Sequence, residues 1–259
     1  MDQQPSEQTG PTAPQSSLMG RLANVYAAPG EVFEQVACSP FSAANWVAPA
    51  LIFILAGWLG AWLIFSQDSI KQQLRDIAEQ AIQRQVDKGR IGQQQADAAR
   101  QAAEKFGNIG ATVGAAVAPV FTGFVSPFLW GLVVWLVGTK VLKGAFPYMK
   151  AVEVAGLANM ITVLGSIVHT LLILMMGNMF ASPSLMLLVK DFDPQNTSHS
   201  VLAAINIMTF WALAVKAVGL SQLSGASFGK AAAWVFGIWA AWMGLTIGIG
   251  AAIRAAFGG

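Results

Sequence analysis

The chain has 259 residues, of which 55% are apolar and 11% charged, about half the charged share of a soluble domain. A net charge of +2 without a long basic run excludes a phosphate-binding stripe, and with it nucleic acid as a partner. The single cysteine, Cys38, excludes an internal disulfide and any paired-cysteine metal or redox site.

Residues 1–17 are rich in Gln, Ser, Thr and Pro and lack the apolar core of a signal peptide, so a disordered tail is expected there. In residues 18–45, Pro29 and Gly30 precede Glu31, which suits the first turn of a helix, and Val32, Phe33 and Val36 then fall on one face. That pattern predicts a short helix lying in the membrane interface; a helix packed under the bundle would show the same spacing.

Five stretches follow that are each long and apolar enough to cross a bilayer: 46–65, 116–138, 154–176, 201–223 and 231–253. The expected fold is therefore all-α, a polytopic membrane protein of five transmembrane helices. Between the first two spans, 66–108 is hydrophilic. Ile70, Leu74, Ile77 and Ala81 recur at helical spacing, Lys88-Gly89-Arg90-Ile91-Gly92 interrupts the pattern, and it resumes from Gln93. A two-helix hairpin outside the membrane is the reading, with a solvated surface or a coiled-coil contact to a protein partner as its two uses.

Pro119 and Pro127 are expected to kink the second span, and Trp46 suits the interfacial belt. In the last span Gly244 and Gly248, extended by alanines at four-residue intervals, form a ridge that lets helix backbones approach closely. Packing within its own bundle is the first expectation for that ridge, and a homo-oligomer face the second. Lys216 is the one formal charge inside a span. Glu153, at the start of the third span, is its expected ion partner, and a charged site for an anionic lipid or substrate is the functional alternative.

Positive charges set the orientation. With the long loop discounted because long segments translocate with little regard to charge, Lys140, Lys143 and Lys150 between the second and third spans place the N-terminus in the cytoplasm.

Asn24-Val-Tyr26-Ala-Ala-Pro29-Gly30-Glu31-Val-Phe33-Glu34 resembles the motif that opens bacterial members of the YIP1 family. Asn206-Ile-Met-Thr209-Phe-Trp211-Ala212-Leu213, continuing to Gly219-Leu220-Ser221, is similar to that family's fourth-span signature, and Gly229-Lys230-Ala231 also fits. Ile207 stands where the family often has Pro, and Lys216 where an apolar residue is usual. The resemblance implies five membrane helices, a cytosolic N-terminus and no known catalytic activity. Eukaryotic relatives are associated with vesicle traffic and bind prenylated GTPases, but the alanine-rich composition here looks bacterial, and GTPase binding is not carried to any residue.

No catalytic, cofactor or metal site is expected. Ser221, Ser224 and His169 would suit an intramembrane serine protease, yet Gly219-Leu220-Ser221-Gln222 lacks the glycine that follows such a nucleophile. Asp191, Asp193 and His199 have no recognisable ligand spacing and read as solvated loop. Two function classes remain: a non-enzymatic organiser or adaptor that binds other proteins in the bilayer, and a small transporter or channel, for which ionisable residues deep in several helices would be needed. The inner membrane of a bacterium is the expected location.

Overall fold

The computed structural model describes residues 16–190, 192–193 and 196–258. The tail expected over 1–17 therefore lies almost wholly outside the described residues, as does Asp191. Nine α-helices are found among the described residues: α1 (Leu18–Asn24), α2 (Pro29–Cys38), α3 (Ala44–Phe65), α4 (Asp68–Asp87), α5 (Gln93–Leu136), α6 (Tyr148–Met176), α7 (Thr197–Ala204), α8 (Ile207–Ser224) and α9 (Phe228–Gly258). Five candidate spans are built on them, Ala44–Phe65, Ile109–Val141, Tyr148–Met176, Ile207–Ser224 and Phe228–Ile253, the second running past the end of α5 through a π-helical turn, Val137–Val141. The protein is an all-helical, multi-pass membrane protein.

α6 is the axis. It is the element with the longest continuous buried face, from Lys150 to Ile161, and α3, α5 and α8 pack around it. Two close approaches set its direction against α3. Gly156 lies against Trp46, and Gly60 lies against Thr170, so the two helices run parallel. α5 runs the other way, with Gly123 against Ala50 and Gly131 against Val152. α8 is also antiparallel to α6, since Gly165 faces Met208 and Gly219 faces Val154. A Cβ on Gly219 would overlap Val154, and one on Gly156 would overlap Trp46, so at these two positions only glycine permits the observed spacing.

Two sequence expectations are redrawn. The second arm of the hydrophilic hairpin and the second span are one helix, α5, of 44 residues, because neither a cap nor a proline interrupts Gln93 to Ala118. At 1.5 Å per residue it is roughly 66 Å long, about twice a hydrocarbon core, so its first half projects from the bundle. The fourth span begins at Ile207, not at 201. Apolar residues continue through the break, but the Asn206 side chain accepts from Met208 N (2.9 Å) and Thr209 N (3.3 Å) and starts a new helix there.

α1 and α2 are not a surface helix. They form a hairpin whose open end is closed by a Ser16 to Gln35 hydrogen bond, and whose turn carries Tyr26 far enough to donate to Met160 O (2.8 Å). Lys150, ten residues before Met160 on α6, touches Val36 at the hairpin's other end. The hairpin thus spans about 15 Å along α6. Leu22, Val25, Val32, Phe33 and Val36 are all buried in the main core, so the apolar face expected to enter lipid is occupied by α6 and α8.

Candidate functional site

Polar side chains inside the bundle collect where α2 ends, α3 begins and α6 begins. Glu153, fully buried, accepts from Ser42 N (2.9 Å) and Asn45 Nδ2 (2.7 Å). The Lys150 ammonium lies 2.9 Å from Glu153 Oε2 and donates to Val36 O (2.6 Å), a carbonyl in the last turn of α2. A helix leaves its last carbonyls without an internal donor and carries partial negative charge there, so the ammonium satisfies both needs. Each charge in this cluster has its opposite. It pins the α1–α2 hairpin and the α2–α3 connection to the start of α6.

The expected Glu153–Lys216 pair is therefore corrected. Glu153 is held by Lys150, three residues away on the same helix and already at contact distance. Lys216 lies on α8, 3% exposed, with its ammonium 5.2 Å from the centroid of the Trp130 ring on α5. Among the described residues it forms no hydrogen bond or ion pair. A cation–π contact contributes about 0.5–2 kcal/mol. Desolvation of an ammonium costs several kcal/mol, so Trp130 alone does not offset it.

The two sequence motifs meet in space. Tyr26 sits edge-on to Trp211 at 6.1 Å, Phe33 packs on the bare face of Gly219, and Gly30 approaches Gln222. Asn24 O accepts from Ala27 N (3.1 Å) and Ala28 N (2.7 Å), which forms the turn ahead of Pro29. Asn206 and Thr209 form the cap of α8. Asn24, Pro29, Gly30, Phe33, Asn206, Thr209, Trp211 and Gly219 thus build the contact between the hairpin and α8 or the ends of its helices.

Other candidates separate. Ser221 Oγ donates to Ala226 O (2.7 Å) and Ser224 Oγ to Leu220 O (2.7 Å), both closing the end of α8. His169 is at the opposite end of the bundle, in a shallow apolar groove of about 410 Å³ between α3, α5 and α6, beside Ser166 and Thr170. Neither serine is brought to it. His199 Nδ1 accepts from Asp193 N (3.0 Å) and its ring stacks on Phe192, while no group of three or more metal-ligating side chains gathers among the described residues.

The ridge in α9 also departs from its first expectation. A Cβ on Gly244 or Gly248 would meet nothing within 4 Å, and Trp242, Leu245 and Ile249 beside them are at least half exposed. α9 touches α8 through its first turns, where Ala231 and Val235 are buried and Trp239 meets Phe210 edge-on at 5.3 Å. Beyond that the ridge faces away from the bundle.

Sequence reasoning missed Asn45, Lys150 and Trp130 as partners of buried charge. The i,i+3 spacing of Lys150 and Glu153 was the available signal; Asn45 and Trp130 come from other helices, and no local pattern marks them. No curated protein and no solved structure is detectably similar to the chain. The Yip1 domain, by contrast, matches residues 23–250, taking in the hairpin from the end of α1 onward, all but the end of the last span and both motifs that the fold brings together, and the protein belongs to that family.

Proposed function

We propose that this protein is a non-enzymatic organiser or adaptor of a bacterial inner membrane, with its N-terminus in the cytoplasm, that binds other proteins through the projecting hairpin of α4 and the first half of α5. The observation that carries the reading is how the hairpin is mounted. The Gln73 side chain donates to Gly177 O, its Oε1 accepts from Met179 N (3.1 Å), and Ile70 is buried against Ile173 and Ala181. Arg100 joins the two arms through Glu79 (2.8 Å). A surface fixed at both base and waist, yet polar and solvent-facing along most of its length, suits presentation to a partner better than packing in lipid. Glu153, the buried carboxylate of the spans, is taken up by the Lys150 pin instead of lining an open path, which also favours a structural use of the bundle over a solute path.

Photo-crosslinkers placed at Gln83 and Gln94 in the full chain, compared with one at the lipid-facing Leu245, test the proposal in native membranes. A discrete protein adduct from the hairpin positions alone is expected. Adducts equally frequent at all three positions, or solute flux through the purified protein in proteoliposomes, would overturn it.

A further inference from the structure

We infer that Lys216 and Trp130 form a site for the phosphate group of an anionic membrane phospholipid. Lys216 is the buried cation that the Lys150–Glu153 cluster leaves out, and its three N–H donors face an aromatic ring without an acceptor. Among the described residues, four side-chain polar atoms are wholly shut off without a hydrogen bond: Arg21 Nε, Asn45 Oδ1, Trp46 Nε1 and Glu153 Oε2, the last in purely ionic contact with Lys150. Lys216, as a whole residue, keeps 3% of its surface exposed.

Depth identifies that acceptor. Gly219 faces Val154, which puts Lys216 one turn further into the bundle, near the level of Leu157. Gly131 faces Val152, which puts Trp130 nearer the end where α6 begins. The stem of Lys216 therefore runs from the deeper level toward that end, as a snorkelling lysine does. Trp46 at the start of α3, Trp130, and Trp135 against Tyr148 all lie in this zone, an aromatic belt of the kind found at headgroup depth. Lys140 and Lys143 are exposed at the same end. A phosphate at this depth completes the ammonium's hydrogen bonds, Trp130 walls the site, and the buried positive charge of Lys216 favours a lipid of net negative charge over a zwitterionic one.

Thermal unfolding of the purified full chain in phosphatidylcholine nanodiscs, with and without phosphatidylglycerol, tests the site. Phosphatidylglycerol is expected to raise the midpoint of the parent protein and of Lys216→Arg, while Lys216→Met loses the rise and Lys143→Met keeps it. A rise that survives in Lys216→Met, or is lost in Lys143→Met instead, would reduce the effect to general attraction by surface lysines and overturn the site. Inorganic phosphate producing the same rise in pure phosphatidylcholine would overturn the lipid assignment in favour of a soluble anion. If Lys216→Met does not accumulate, Trp130→Leu takes its place, since it removes the wall and leaves the charge: a rise reduced by at least half is expected, and an unchanged rise overturns the proposal.

Discussion

Glu153 is fully buried and holds three elements at once, through Ser42 and Asn45 on one oxygen and Lys150 on the other. Glu153→Gln keeps the shape and one acceptor but strands the Lys150 ammonium, and breaking a buried pair in this way costs about 3–5 kcal/mol. The midpoint of thermal unfolding should fall clearly. Replacing Lys150 by Met in the same chain should restore most of it, because the pair is then absent rather than broken; a double variant no better than the single would show that the charge balance is not what holds the hairpin. Gly219 makes a different demand. Gly219→Leu must displace Val154 and Phe33, both fully buried, with an expected loss of about 1–3 kcal/mol or more from overpacking. Expression and unfolding midpoint would register it, and a variant of unchanged stability would mean that α8 can shift without loss. Sequence marks Gly219 as part of the fourth-span signature and Glu153 as a partner for Lys216, but the contacts each makes appear only once α2 and α3 are placed beside them.

At the level of elements, the two helices that leave the bundle respond to opposite tests. α9 carries Gly248 with open space around it, so Gly248→Leu should leave the unfolding midpoint of the monomer within about 0.5 kcal/mol of the parent. Loss of a cross-linked dimer band with the monomer intact would assign the ridge to a second copy, whereas a destabilised monomer would contradict the open packing. The hairpin responds to pH. The Arg100 hydrogen bond holds the Glu79 carboxyl below its usual range, with a smaller charge contribution from the same guanidinium. A group with a depressed folded pKa stabilises above its unfolded value and loses that contribution as pH falls through the folded one. The hairpin arms should therefore separate more readily in acid, seen as lower amide protection factors over 75–104, after correction for the intrinsic exchange rate, once pH drops below the ordinary carboxylate range. The pair is solvent-exposed, so the change should be small and should vanish in Glu79→Gln. Hydropathy located the five spans because lipid imposes a length and composition on each. It misplaced the start of α8 because a single capping side chain, Asn206, ends one helix and begins another inside an unbroken apolar run. It also divided α5 in two, since composition changes along that helix while the backbone does not.

For the whole molecule, the connections sort into two ends. Cys38, the 137–147 connection, the start of α6 and the α8–α9 turn lie at one end, with Gly144 packed against Ser224 and Lys150 on Val36. α4, the Gly177 cap of α6 and the bridge between Ser184 and Asn206 lie at the other. Lys140, Lys143, Lys150 and Lys230 are all at the Cys38 end, and the positive-inside rule assigns such an end to the cytoplasm. The seven basic residues of the hydrophilic hairpin argue the other way, but six acids accompany them, and a long segment crosses with little regard to its charge. Cys38 is exposed and is the chain's one thiol, so it reports its own side without background. A membrane-impermeant maleimide applied to intact cells should leave the parent protein unlabelled and should label a Gln83→Cys variant in which Cys38 is replaced by Ser. After the membrane is permeabilised, Cys38 should react in the parent protein. Labelling of Cys38 in intact cells with Gln83→Cys protected would invert the molecule, place the α4–α5 hairpin in the cytoplasm, and move the partners it presents to that side.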